Sequence, residues 1–179
     1  MKYRISDLFV VLVVSMIAGC SPQSPPSPAP GTFVSRDKLA DVGFGTPEAA
    51  FETMVWAMMN GNLDRYAASF TPELQADLNA RSSNGAEFAA TAKRDAPSFV
   101  GYQIVAEKKL GTDQVDLKFL MQGKDGRRTF SLHDSGVSGF GLQRMVKVGN
   151  DWKIAEGFRG YEASWDDTNV VNVATPARP

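Results

Sequence analysis

The chain has 179 residues, 43% of them hydrophobic and 22% charged, with a formal net charge of −1. That content fills one core and excludes disorder along the whole length, and the near-neutral balance leaves no basic stripe for nucleic acid. One cysteine and one histidine exclude an internal disulfide and a Cys/His metal cluster, so neither a metal nor a cofactor is expected.

Lys2 and Arg4 give a positive start, Leu8 to Val14 is an unbroken apolar run, and Ala18, Gly19 and Cys20 follow it. This is the order of a secretory signal peptide, and the run is shorter than the roughly 20 apolar residues a spanning helix needs. Ile17-Ala18-Gly19-Cys20 resembles the lipobox of bacterial lipoproteins, with Ile17 where Leu is usual. The resemblance implies that residues 1–19 are removed and that Cys20 carries lipid, palmitate included, which anchors the chain to a membrane of the bacterial cell envelope. Ser21, in place of Asp, leans towards the periplasmic face of the outer membrane. Residues 20–32 then form the lipidated Cys and a Pro/Ser-rich tether. At about 3.1 Å per residue, roughly ten residues of polyproline reach about 30 Å.

From Phe33 to Gly45 a lead-in carries Phe33, Val34, Leu39, Val42 and Phe44 without a clean period. Thr46-Pro47-Glu48 starts a helix: Thr46 suits the N-cap, Pro47 the first helical position and Glu48 the positive end of the dipole. Ala50, Phe51, Met54, Ala57 and Met58 form one apolar stripe, and Gly61 is placed to stop the helix. Trp56 lies off that stripe, between Glu52 and Asn60, and calls for a cover from the lead-in or from a second copy of the chain. Asn62 caps a short helix with Leu63, Tyr66 and Phe70. Thr71-Pro72-Glu73 opens a third, and Asn84-Gly85 interrupts before a helical piece that Pro97 ends.

From Phe99 the period falls to two. Val100, Tyr102, Ile104 and Ala106 share a face, as do Val115, Leu117, Phe119 and Met121. After a turn at Lys124-Asp125-Gly126, Arg128, Phe130, Leu132 and Asp134 follow on one face of the next strand. Leu142–Val148 and Trp152–Phe158 form a last hairpin about Gly149-Asn150-Asp151. Helices followed by antiparallel strands predict an α+β domain over residues 33–162, with N-terminal helices packed on a curved antiparallel sheet and a polar tail at 163–179.

Thr46-Pro47-Glu48-Ala49-Ala50 with Gly61-Asn62-Leu63-Asp64 resembles the opening of NTF2-like (SnoaL-type) domains, and residues 145–154 resemble their final hairpin. Phe70 takes the aromatic position, and Asn62 replaces the commoner Asp. The resemblance implies a cone with a pocket at its wide end. It implies no activity, because this fold hosts dehydratases, isomerases, transport factors and binding modules alike. The inward Asp, Tyr or His residues of ketosteroid isomerase and scytalone dehydratase are not placed by the sequence.

His133 shares an outer strand face with Thr129 and Ser131 and reads as solvent-facing. No Ser-His-Asp set, P-loop or GxGxxG is present. In the last hairpin Leu142, Val146 and Val148 share a face with one charge, Arg144, and Trp152, Ile154 and Phe158 share one with Glu156. A three-residue loop pairs 148 with 152, 146 with 154 and 142 with 158, so that Arg144 meets Glu156 on the concave face. The pair is either a structural ion pair or the polar anchor of a pocket lined by Trp152, Met54 and Met58, with Met121.

These features lead to the expectation of a lipid-anchored extracytoplasmic binding or protein-interaction domain without catalytic activity. Its partners are the membrane and a small apolar ligand or an envelope protein, with a homodimer as a further form. One alternative is an NTF2-like enzyme of dehydratase, isomerase or hydrolase type that uses Glu156 or Asp134 with Arg144; another is an accessory subunit of an envelope complex. An inward carboxylate that holds its proton unusually high favours the enzyme. Palmitate labelling is expected to mark the wild-type chain and not Cys20→Ala; equal labelling of both, or of neither, removes the anchor.

Overall fold

A computed structural model describes residues 31–81, 85–124, 128–129, 141–156, 159–160 and 171–172. The leader with Cys20, most of the tether, His133, Asp134 and Phe158 lie outside the described residues. Helix α1 (Pro47–Asn60) starts at Thr46, whose Oγ1 accepts from the N–H of Ala49 at 3.2 Å. It stops at Gly61, which is left-handed at φ 65°. There the N–H of Asn62 reaches the Ala57 carbonyl at 2.9 Å and that of Gly61 the Met58 carbonyl at 3.4 Å, satisfying carbonyls of the last turn. Asn62 then caps α2 (Leu63–Ala68), its Oδ1 accepting from the N–H of Arg65 at 3.0 Å. Helices α3 (Pro72–Arg81) and α4 (Gly85–Asp95) follow.

The described strands are β1 (Phe33–Ser35), β2 (Phe99–Lys109), β3 (Gln114–Gly123), β4 (Arg128–Thr129), β5 (Gly141–Val148), β6 (Asp151–Ile154), β7 (Arg159–Gly160) and β8 (Val171–Asn172). β1, β2, β3, β5 and β6 lie side by side in that order, all antiparallel, as a curled half-barrel. The two-residue strands β4, β7 and β8 extend the pairing of β3, β5 and β2. The chain is α+β, with β1 ahead of the helices and the other strands of the sheet after them.

Strand β2 shifts register twice, at Val100 and at Val105, where Ile104 opposes Phe119 but Ala106 opposes Lys118. An extra residue bends a strand and raises its twist, which suits a sheet that curls around α1. It also reverses the alternation. Tyr102 and Ile104 face α1, but after Val105 that side belongs to Glu107, and Ala106 packs with Leu142 on the other face.

Phe51 of α1 fills the concave side, edge-on to Tyr102 at 5.3 Å between ring centres and tilted against Phe119 at 4.8 Å. Met54, Val55, Phe99, Leu117, Met121, Met145 and Ile154 complete this core. Each fully buried large side chain contributes about 1.5–3 kcal/mol. The lead-in belongs to the same body: Val34 and Phe44 join the core, and Val42 is buried with its N–H on Thr53 Oγ1 at 3.2 Å. It covers α1 along Glu52 and Thr53, and Trp56, one turn further on, is half-buried. The edge of β6 is closed by the Trp152 N–H on the Phe44 carbonyl and the Ile154 N–H on the Ser69 carbonyl, both at 2.8 Å.

The last hairpin departs from the expected register. Val148 opposes Asp151, Lys147 opposes Trp152, Val146 opposes Lys153 and Met145 opposes Ile154. The turn is two residues, Gly149-Asn150, with Gly149 at φ 65°, which fits the glycine-first turn favoured in tight hairpins. One residue fewer in the loop turns every side chain of β5 over relative to β6. Met145 and Gln143 therefore face α1, while Leu142, Arg144 and Val146 face away. No helix among the described residues is long and apolar enough to cross a membrane.

Gly101 holds β1 in place. A Cβ there would lie 2.4 Å from the Val34 carbonyl oxygen and 2.5 Å from the Phe33 ring. Gly101→Ala is expected to destabilise the domain by about 1–3 kcal/mol through overpacking, read from urea unfolding. Gly111→Ala, with nothing within 4 Å, is the control and should stay near neutral.

Candidate functional site

The turn at Gly61 reverses the chain so that α2 folds back beside α1, and α4 closes the corner. A Cβ on Gly61 would meet Ala89 Cα at 2.9 Å, so α4 sits almost against the backbone there. Between the three helices lies a cleft of about 190 Å³ lined by Met58, Met59, Tyr66, Phe88, Thr91, Ala92 and Asp95. Tyr66 stands between Phe70 and Phe88, with ring centres 4.9 Å away on each side, and burial pushes its hydroxyl above the usual range. Asp95 is engaged by Arg94, Nε to Oδ1 at 2.7 Å and Nη2 to Oδ2 at 3.1 Å. The lining is apolar and aromatic with few polar atoms, the usual character of a binding pocket.

A second set of groups lies under the lead-in. Glu52 is 4% exposed, its Oε1 accepting from the Ala40 N–H at 3.3 Å and its Oε2 from the Tyr102 hydroxyl at 3.4 Å. Burial raises the Glu52 carboxyl above its ordinary range, against the lowering effect of these two donors. Tyr102 is raised by its own burial first and by the Glu52 charge next. Glu107, brought to this side by the bulge, is raised by burial and then by Glu48, which it meets side chain to side chain.

The third set lies on the sheet face away from α1. Arg144 forks onto Asp116, Nε to Oδ1 at 2.8 Å and Nη2 to Oδ2 at 2.9 Å, and its Nη1 reaches Glu156 Oε1 at 3.1 Å. Asp116 and Arg144 are directly opposed on β3 and β5. The Asp116 carboxylate is the first cause that raises the Arg144 guanidinium, with Glu156 further down. Gln143, 1% exposed, is satisfied by the Glu156 and Arg144 carbonyls at 2.7 and 3.2 Å.

The pocket set expected from sequence is thus dispersed. Arg144 does touch Glu156, though not through the expected register and not on the concave face. β6 ends at Ile154, so strand parity no longer fixes the side on which Glu156 lies. Met54 is sealed in the core, Trp152 packs half-buried at the core's edge, and Met58 lines the helical cleft. Asp116, Glu52, Tyr102 and Phe88 were not marked by the sequence as site residues. The available signals were the acidic outward position of Asp116 on β3 and the one-turn spacing of Glu48 and Glu52.

No protein-family model and no curated protein matches the chain. Among solved structures, the solution structure of a SEC-C motif containing protein from Rhodopseudomonas palustris matches at a TM-score of 0.47 and 14% identity, over 66% of this chain and 80% of that one. These findings overturn the identification as a bacterial lipoprotein with an NTF2-like domain. Neither family is matched.

The fork on Asp116, 8% exposed in its side chain, outweighs the contact with Glu156, which is 39% exposed. Arg144→Met is expected to cost about 3 kcal/mol, and Glu156→Gln under about 1 kcal/mol, in urea unfolding. Asp116→Leu with Arg144→Met should recover much of the loss, and equal single losses at Arg144 and Glu156 would contradict the ranking.

Proposed function

We propose that the chain is a binding or protein-interaction domain without chemistry of its own, and that its ligand enters the cleft between α1, α2 and α4. The observation that carries this reading is the cleft's size and lining. At about 190 Å³ it is near the roughly 150 Å³ that takes a benzene ring and below the roughly 300 Å³ at which drug-sized pockets begin. It suits one apolar ring or short chain, either of a small molecule or of the side chain with which a partner anchors itself. An extracytoplasmic place for this domain rests on the leader-like residues 2–19 alone.

One observation favours an enzyme as the second reading. Glu52 is an inward carboxylate raised above its ordinary range beside Tyr102. Both its oxygens are engaged and it is 4% exposed, so a substrate reaches it only if the lead-in moves aside.

Toluene titrated into the full chain is expected to shift the methyl resonances of Met58 and Met59. Thr91→Trp, which fills the cleft from α4, should weaken that binding at least about tenfold, or about 1.4 kcal/mol, without lowering the melting temperature. Toluene that shifts neither methyl, or that binds both chains alike, overturns the reading.

A further inference from the structure

Residues 39–44 cross α1, held by the burial of Val42 and Phe44 and by a short set of hydrogen bonds. The Ala40 N–H donates to Glu52 Oε1 at 3.3 Å and the Val42 N–H to Thr53 Oγ1 at 3.2 Å. The Thr53 hydroxyl lies 3.0 Å from the Gly43 carbonyl and 3.4 Å from Asp41 Oδ1. At the end of the crossing the Phe44 carbonyl accepts from the Trp152 N–H at 2.8 Å, and the Phe44 ring takes Arg65 at 4.3 Å and Lys153 Nζ at 3.8 Å. Among these bonds, the one to Glu52 is made by a buried, ionisable group.

The groups around Glu52 give its charge little support. Tyr102 faces it from β2, and Glu48 lies one turn earlier on α1, against Glu107 of β2. On the lead-in itself Asp41 sits beside Thr53 and pairs with Arg65 at 2.6 Å. Arg65 is thus engaged by Asp41 and by the Phe44 ring.

We propose that residues 39–44 form a pH-dependent strap, closed while Glu52 keeps its proton and released when Glu52 ionises, which frees the Trp152 N–H at the edge of β6. In the closed strap burial holds the Glu52 proton above the ordinary carboxyl range. An open strap hydrates the carboxylate and returns it to that range. Opening thus releases a proton, so low pH favours the closed form. Each pH unit above the ordinary range favours opening by up to about tenfold, until the closed-state carboxyl ionises as well. Glu107 is raised in the same direction, and replacing Glu52 alone separates the two.

The test is amide hydrogen exchange on the full chain across that window, corrected for the intrinsic pH dependence of exchange. Protection at Ala40, Val42 and Trp152 is expected to fall by up to about tenfold per pH unit, while Ile104 and Phe119 in the centre of the sheet keep theirs. Glu52→Gln, which keeps an acceptor for Ala40 and loses the proton, should flatten the fall. Protection at Ala40 and Val42 that ignores pH in the wild type, or that follows pH equally in Glu52→Gln, overturns the strap. Tyr102→Phe is the second arm: losing the hydroxyl that favours the ionised form leaves the start of the fall in the ordinary carboxyl range and must extend its end to higher pH. A fall that ends where it did in the wild type also overturns it.

Discussion

The packing of Phe51 between Tyr102 and Phe119 is the contact on which the rest of the domain depends. It fixes α1 against β2 and β3 at the middle of the sheet, and the sheet curls around that point through the two extra residues of β2. A half-barrel closed in this way has its concave side filled by Phe51, Met54 and Val55, all fully buried. Protein interiors pack to near-crystalline density, so room for a ligand is found where elements meet at an angle. The corner of α1, α2 and α4 is such a place. The close approach of Ala89 to Gly61 sets its depth, and Tyr66 with Phe88 forms its aromatic wall.

Helix ends were legible in the sequence because their causes are local. Thr46, Pro47, Gly61 and Asn62 each act through backbone groups within four residues of themselves, and the structure uses them in those roles. The sheet was legible only as a period. Which face a strand residue occupies depends on the number of residues before it, and a single bulge or a shorter turn reverses the answer. At Val105 the bulge exchanged Ala106 and Glu107; at Gly149-Asn150 a two-residue turn reversed β5 relative to β6. The apolar residues Leu142, Val146 and Val148 were no guide. Leu142 is buried on the far face with Ala106, while Gln143 occupies the near face with its amide satisfied by two carbonyls.

The candidate site was less legible than the fold. Met58 lay on the apolar stripe of α1 and reached the cleft, but Phe88, Thr91 and Ala92 come from a helix whose docking is set by a glycine contact far away in sequence. Asp116 meets Arg144 only once β3 and β5 are neighbours in the right register, which the alternation within each strand does not fix. Glu52 read as an outer-face residue beside Trp56. The lead-in lies over that face, which gives the aperiodic residues 33–45 a use that periodicity does not reveal.

The two sets of buried charge answer different physical demands. Arg144 and Asp116 meet as a two-pronged fork at 2.8 and 2.9 Å, a geometry in which each charge replaces much of the other's lost water. Such a pair fixes the register of β3 against β5 and has little reason to change with conditions. Glu52 has two long hydrogen bonds, at 3.3 and 3.4 Å, both from neutral donors. Neutral donors at that length compensate a desolvated carboxylate poorly, so the group relieves its cost by keeping a proton or by regaining water. The carboxyl is covered on one side by Ala40 of the lead-in and met on another by Tyr102 of β2. The same few bonds that bury the carboxyl therefore tie its protonation to the position of residues 39–44, and through Phe44 to the edge of β6.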